Sequence, residues 1–356
     1  MHLGRRVVLT GLLGAAWFAT SGFSPDSKTI TLALQEGGTA SWEIAAMRAA
    51  GLDKFHHIKV EVRDVADSRA GQVALQAGEV DAILSDFIWV SSQRNQGADF
   101  ALVPHSLAVG GLMVDPAGPV KTVADLEGKT LAVAGGPVDK SYILLQAYFN
   151  AKTGKLLPDL ISAEFGAPPL VNEMLTGGQA QAALNFWHFN ARAKLAGMEQ
   201  IISVKDMLAE LGVSRQPPML GWVFSEKVAR KKKEEVARFL DASFATKEKL
   251  LTDDALWDTI RPGMGAAADD DALFVALRDA YRAGIVTSYG EVHQGRNRGL
   301  CADREIWWKR CDRGQARSGR GHVLGRLQQV ITKGGGDEPA IDRSGAAHLS
   351  PLEVAA

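Results

Sequence analysis

The chain has 356 residues, 46% of them hydrophobic, which is enough for a sizeable core and predicts about two domains. Its 40 lysines and arginines nearly balance 41 aspartates and glutamates, so no overall field favours nucleic acid, and we expect no nucleic-acid partner. The only cysteines are Cys301 and Cys311, which leaves the preceding residues without a disulfide framework or a thiolate metal site.

The first 22 residues have the anatomy of a secretory signal peptide. Arg5 and Arg6 precede an apolar run over residues 7–19, and small residues follow it. The run is short for a bilayer core of about 30 Å, which disfavours the alternative of an uncleaved anchor. The paired arginines leave both the Sec and the twin-arginine (Tat) export routes open. We therefore predict a periplasmic protein.

Short β-rich runs then alternate with amphipathic stretches. The pattern predicts strands at 29–34, 59–65, 81–84 and 100–104, with helices at 42–51 and 69–77. It restarts after residue 119, with strands at 130–134 and 180–185 and helices at 140–152 and 191–196. Such alternation predicts parallel sheets with helices on both faces. From 225 to 251 the periodicity is helical.

Two segments, 75–97 and 175–197, echo each other without a gap. Leucine, glycine, alanine, leucine and glycine recur at the positions of Leu75, Gly78, Ala82, Leu84 and Gly97. Each segment reads as a helix end, a glycine turn, a strand, a loop of polar and aromatic residues, and a helix. The echo predicts two lobes of similar build.

Residues 291–356 differ from the rest of the chain, because they are dense in arginine and glycine and show little periodicity. Disorder is one interpretation. A nucleic-acid-binding tail in which Trp307 and Trp308 stack on bases is another, which export disfavours. The preferred hypothesis is a frameshift near residues 290–300.

Several motifs, in their order along the chain, resemble one known family: the type II periplasmic solute-binding proteins of ABC importers for aliphatic sulfonates, taurine, nitrate and thiamine-pyrimidine precursors. The resemblance implies an α/β fold of two Rossmann-like lobes, joined by a hinge of two crossovers near 110–115 and 217–222, with a cleft between the lobes. It places the first part of lobe 1 at 28–110, lobe 2 at 111–218 and the return to lobe 1 at 219–290. The motifs are LQAGEVDA at 75–82, TVADLEGKTLAV at 122–133, APP at 167–169 leading to LTGG at 175–178, and GWVFS at 221–225.

Ligands of open α/β sheets bind beyond the carboxyl ends of the strands, and this rule selects four loops. Four of the residues in these loops also have an alternative role. Thr39 and Ser41 could instead cap a helix, Trp187 could pack in the core, and His188 could be hydrogen-bonded outside the site. The predicted ligand-binding residues are Gln35, Gly38, Thr39, Ser41 and Trp42; Ser85 and Asp86; Gly136, Asp139, Lys140 and Ser141; and Asn185, Trp187 and His188.

The charges in the third loop leave the nature of the solute open. Backbone N–H groups before a helix attract anions or carbonyl oxygens, and Lys140 strengthens the preference for an anion. Asp139 weakens that preference, or binds the amine of a zwitterion. We expect a small polar solute, anionic or zwitterionic.

The chain lacks the motifs of common enzyme classes, GxSxG, HExxH and CxxC, so we predict a monomeric binding protein without cofactor or metal. The predicted function is the substrate-binding component of an ABC importer, with an inner-membrane ABC permease as its partner. The alternatives are a sensor that docks on a membrane receptor, and a thiamine-pyrimidine-type biosynthetic enzyme, whose cysteine-rich iron segment is absent before residue 301.

Overall fold

A computed structural model describes residues 28–213 and 216–286; the predicted signal peptide and the atypical tail lie outside these residues. The strands are β1 Lys28–Gln35, β2 Ile58–Val65, β3 Ala82–Asp86, β4 Phe100–Ser106, β5 Gly111–Val114, β6 Thr130–Ala134, β7 Ser162–Gly166, β8 Ala182–Asn185, β9 Glu199–Ser203 and β10 Leu220–Ser225. The helices are α1 Ala40–Ala49, α2 Leu52–Phe55, α3 Ser68–Gln76, α4 Phe87–Asn95, α5 Lys140–Thr153, α6 Pro168–Thr176, α7 Trp187–Leu195, α8 Val204–Glu210, α9 Glu226–Lys231, α10 Lys233–Thr252, α11 Asp254–Ile260 and α12 Asp271–Ala283.

The strands form two five-stranded sheets, each the centre of one lobe. The sheet of lobe 1 has the order β2-β1-β3-β10-β4, and that of lobe 2 has the order β7-β6-β8-β5-β9. The strands β1 and β6 each pair in parallel with two neighbours. The strand β10 runs antiparallel between β3 and β4, and β5 runs antiparallel between β8 and β9. The equivalent strand orders confirm the two predicted lobes of similar build.

The predicted parallel pairing holds for three strands of each sheet, and each sheet also contains one antiparallel strand that the pattern did not predict. The two antiparallel strands, β5 and β10, are the first strands after the chain passes from one sheet to the other. Each therefore enters its sheet from the side of the partner lobe and not through a helical crossover, which is the connection that parallel pairing requires.

Both faces of each sheet are buried under helices. In β1, Leu32 and Leu34 point into a cluster with residues of α1 and α10, whereas Ala33 points into a second cluster with residues of α3. In β6, Leu131 and Val133 face α5, and Ala132 faces α6. Alternate side chains of a strand lie on opposite faces, so a strand covered on both sides is apolar throughout.

A buried polar network holds α1 in lobe 1. The Glu43 carboxylate is fully buried and contacts His105 Nε2 at 2.8 Å and the Tyr281 hydroxyl at 3.2 Å. Ser243 donates a short hydrogen bond to it, and Lys247 Nζ lies 3.8 Å away. These partners come from β4, α10 and α12, so Glu43 ties three distant parts of the chain to the helix that begins at the cleft.

Three segments meet where the chain passes between the lobes. The passages cover residues 107–110 and 211–219, slightly before the predicted crossings, because β5 and β10 begin at Gly111 and Leu220. Leu107 N donates to the Gly284 carbonyl at 2.8 Å, and Gln216 Nε2 donates to the Leu107 carbonyl at 2.6 Å. The segment after α12 thus packs directly on the first passage.

The predicted loops of polar and aromatic residues after β3 and β8 are the first turns of α4 and α7. Asp86 ends β3 and caps α4, with its side chain accepting from Trp89 N at 2.9 Å, so no loop residue separates the strand from the helix. Trp187 opens α7, four residues before the predicted start. Aromatic residues at a helix start gave no apolar periodicity from which to place it.

Candidate functional site

A cavity of about 110 Å³ lies between the lobes, beyond the carboxyl ends of β1, β2, β3 and β8. At about 10–15 Å³ for each water, it has room for roughly seven to ten water molecules, and hence for a solute with about that number of non-hydrogen atoms. Lobe 1, the first passage between the lobes and lobe 2 all contribute to its wall. A solute in it therefore contacts both lobes at once.

Several predicted residues from three of the four selected loops line this cavity. They come from the start of α1, the start of α5 and the start of α7. Their convergence follows from the rule that strand ends and helix starts meet at one edge of an open sheet. The predicted residues in the wall are Gln35, Gly38, Thr39, Lys140, Ser141, Trp187 and His188.

The other predicted residues lie outside the wall, and ligand contact by them remains a prediction. Ser41 Oγ donates to the Gly38 carbonyl at 2.6 Å, and Trp42 is buried against Trp257 and Tyr281. Ser85 is buried and contacts Gln72.

Hydrogen bonds within the protein engage most of the remaining polar side chains. Asp86 and Asp139 cap α4 and α5, and Gly136 is half-buried. Asn185 Nδ2 donates to the Pro168 carbonyl and to Asn172 Oδ1, both at 2.8 Å.

The cavity also has lining residues that the sequence reasoning missed. Val65, Asp67 and Ser68 lie at the end of β2 and the start of α3, and Ala108 and Val109 lie in the first passage. The rule that selected the four loops also applies to the end of the predicted strand at 59–65. That loop lacks the glycines and aromatic residues that mark the four selected loops.

Trp187 joins the lobes beside the cavity. Its ring centroid lies 6.2 Å from that of Trp42, edge to face, and 6.2 Å from that of Tyr281. Trp187 begins α7 of lobe 2, whereas Trp42 and Tyr281 belong to α1 and α12 of lobe 1. The half-buried indole is therefore both a wall of the cavity and a contact between lobes.

His188 is a neutral, buried member of the wall. Burial disfavours the charged ring and Arg192 adds repulsion, so the pKa of His188 falls to about 3. Its Nδ1 is buried and has no hydrogen-bond partner among the described residues. A buried nitrogen without a partner costs free energy, which a ligand or water can recover.

A cluster of charges spans the two lobes at Lys140. Lys140 Nζ lies 3.7 Å from Asp139 Oδ2 and 5.1 Å from the ring centre of Phe186. Burial lowers the pKa of Lys140, but the Asp139 and Asp86 carboxylates outweigh it and raise this pKa above its usual value. Burial raises the pKa of Asp86, and Lys140 opposes that shift across the cleft.

Residues 28–213 and 216–286 contain neither a membrane-spanning helix nor a group of metal ligands. No helix in this part of the chain combines the length and the apolar character that crossing a bilayer requires. Within the same residues, no three His, Cys, Asp or Glu side chains are grouped as metal ligands.

The fold and the cleft define the class of two-lobed solute-binding proteins, and comparison with known proteins supports this. The model of the NMT1/THI5-like family matches residues 51–252. The chain belongs to this family, which confirms the resemblance seen in the sequence. Comparison with curated proteins finds no significant sequence match.

Solved structures with the same fold include two sulfonate-binding proteins. The alkanesulfonate-binding protein SsuA from Xanthomonas axonopodis pv. citri, bound to MOPS, is 19% identical with a TM-score of 0.57, over 72% of this chain and 85% of that one. The periplasmic aliphatic sulphonate binding protein SsuA from Escherichia coli is 17% identical with a TM-score of 0.56, over 87% of this chain and 100% of that one. At these identities the likeness establishes the fold.

Proposed function

We propose that this protein is the periplasmic substrate-binding component of an ABC-type importer, which captures a small solute reversibly and delivers it to an inner-membrane permease. The observation that carries the proposal is the cavity between the lobes, whose wall takes residues from α1 and α3 on one side and from α5 and α7 on the other. A solute that contacts both sides stabilises the closed form, because it binds that form better than the open one.

The chemistry of the wall supports capture without reaction. Its polar members are hydroxyls, an amide, a neutral imidazole, the Asp67 carboxylate and an ammonium already beside another carboxylate. Such groups orient a solute through hydrogen bonds, while the aromatic and aliphatic residues around them exclude water. The two SsuA proteins of the same fold are sulfonate-binding proteins, and we propose a non-enzymatic binding role here as well.

A thermal-shift screen of the mature full chain tests the proposal. The panel contains sulfonates, nitrate, small carboxylates, amides, pyrimidines and amines of up to about ten non-hydrogen atoms, the size set by the cavity. A solute at 100 times its Kd stabilises the folded state by about 2.7 kcal/mol and raises the melting temperature. If no member of the panel stabilises a folded, monomeric protein, the proposal loses its main support.

Replacing Trp187 separates the binding role of this residue from a packing role. We expect Trp187→Ala to abolish the shift produced by a solute and to lower the melting temperature of the free protein no more than Trp89→Ala does, since both indoles are half-buried and Trp187 borders the cavity. Trp89→Ala is the matched control, because Trp89 is also half buried but stacks on Phe100 away from the cavity. A large loss of intrinsic stability in Trp187→Ala would favour the core role.

A further inference from the structure

Five helices of at least nine residues begin around the cavity. At three of these helix starts, an aspartate of the protein already accepts a hydrogen bond from a backbone N–H group of the first turn. Asp67 Oδ1 accepts from Ala70 N at 2.8 Å on α3, and Asp86 Oδ1 accepts from Trp89 N at 2.9 Å on α4. Asp139 Oδ1 accepts from Ser141 N at 2.8 Å on α5. A helix start is the place where an anionic group would bind, so these three positions are closed to an anionic solute.

The charged side chains around the cavity provide no net positive charge that would attract an anionic solute. Of the described residues that line the cavity, Lys140 alone carries a cationic side chain, since His188 is neutral. Lys140 stands beside Asp139 and within the field of Asp86, and Asp67 adds a further carboxylate to the wall. An entering anion would face the fields of three carboxylates, of which Asp67 lines the cavity, and of one ammonium that is already paired.

Hydrogen-bond donors without a full charge remain available at the other two helix starts. Thr39 before α1 and Phe186 before α7 make no side-chain cap, and their carbonyls accept only from Trp42 N, Phe189 N and Asn190 N. Among the described residues, the N–H groups of Ala40, Trp187 and His188 therefore have no acceptor at these two helix starts. His188 in the first turn of α7, nine-tenths buried, adds the unpartnered Nδ1. These groups suit a carbonyl, hydroxyl or ring-nitrogen acceptor.

The rest of the wall is apolar. Leu34, Val65, Ile83 and Leu220 face the cavity together with the Phe186 and Trp187 rings. Burying a charged group among such residues is costly unless an opposite charge is free to pair with it, and here the ammonium is already engaged.

We propose, on the basis of the function proposed above, that the cleft takes an uncharged solute with an apolar body and a hydrogen-bond acceptor, and that it rejects solutes carrying a full negative charge. The specificity would differ from that named for the alkanesulfonate-binding neighbour of the same fold. Rejection acts through like charge, and acceptance acts through the free donors of α1 and α7.

Matched pairs of probes test this directly by calorimetric titration of the mature full chain. Benzamide and benzoate have the same shape and differ in charge, as do ethanesulfonamide and ethanesulfonate. We expect the uncharged member of a pair to bind at least about tenfold more tightly. Equal or tighter binding of the anion would overturn the inference and leave the proposed function intact. Binding of no probe at all would count against both.

Asparagine variants at the caps change charge without removing the cap, because Asn caps a helix about as well as Asp does. In Asp67→Asn and in Asp139→Asn, we expect the benzamide-to-benzoate preference to shrink several-fold at low salt. Asp270→Asn is the matched control, because Asp270 caps α12 in the same way but, unlike Asp67, does not line the cavity and, unlike Asp139, is not paired with Lys140. An unchanged preference in both cleft variants would contradict charge rejection.

Discussion

At the scale of single residues, Glu43 shows how lobe 1 accommodates a charge without water. Burial raises the pKa of its carboxyl group, but Lys247, His105 and Ser243 more than compensate and bring that pKa down to about 2. Burial lowers the pKa of Lys247 to about 8, although Glu43 opposes the shift. Each charge is therefore tolerated mainly because the other is present.

Replacing Glu43 with Gln preserves the volume of the side chain but leaves Lys247 buried without a carboxylate. We expect Glu43→Gln to lower the free energy of unfolding by about 3 kcal/mol at pH 7, measured by urea denaturation. Without Glu43 the pKa of Lys247 falls below about 8, so the variant loses this proton at a lower pH than the parent protein does, and the deficit should shrink as the pH rises towards 8. Glu226→Gln breaks an exposed pair with Arg230 and should cost less than about 0.5 kcal/mol. A loss below about 1 kcal/mol for Glu43→Gln would show that this network is not a major source of stability.

His188 makes the stability of the free protein dependent on pH. Its pKa falls from 6.5 in the unfolded chain to about 3 in the folded one, so between these values the unfolded chain binds the extra proton. The contribution is fully present above pH 6.5 and is lost as the pH falls towards 3, with a slope of up to about 1.4 kcal/mol per pH unit. His188→Gln should flatten the profile in this window, whereas His57→Gln, at an exposed site, serves as the control. A profile unchanged by His188→Gln would contradict a buried neutral imidazole.

At the scale of elements, the sequence predicted most strands to within two residues, and the strand at 130–134 coincides with β6. The predictions failed where tertiary structure outweighs the local pattern. The edge strand β7 is polar and largely exposed, so it carries no strand periodicity. Half of the predicted site residues line the cavity, and Trp42 does not, because α1 turns its indole towards α11 and α12.

Two glycines lie where the lobes meet, Gly110 in the first passage and Gly284 directly after α12. A Cβ on Gly110 would lie 1.7 Å from the Asn185 carbonyl oxygen, and one on Gly284 would lie 2.5 Å from the Ala108 Cβ. Both glycines allow segments to approach closely where the lobes meet.

Gly284→Ala tests that close approach. We expect it to destabilise the protein by about 1–3 kcal/mol in urea denaturation, since the added methyl group forces the segment after α12 away from residues 106–108. Gly263→Ala is the control, because a Cβ there meets nothing within 4 Å. Equal stability of the two variants would show that the segment after α12 does not pack firmly on the passage.

At the scale of the whole molecule, the two sheets, the two passages and the shared cavity together support a clamp that closes on a solute. The predicted domain boundaries stay a prediction, and the tail at 291–356 lies outside the described residues. Resequencing the gene tests the frameshift hypothesis. A second reading frame that yields only stop codons or another string rich in arginine and glycine would rule it out.

The distance between the lobes, with and without a solute, tests the clamp most directly. Spin labels at Val73→Cys on α3 and Leu170→Cys on α6 are exposed and lie one on each lobe, and replacing Cys301 and Cys311 with serine removes the native thiols. Pulsed electron resonance should give a broad distribution for the free protein and a shorter, narrower one once a stabilising solute is bound. An identical distribution in the presence of a bound solute would contradict closure of the lobes.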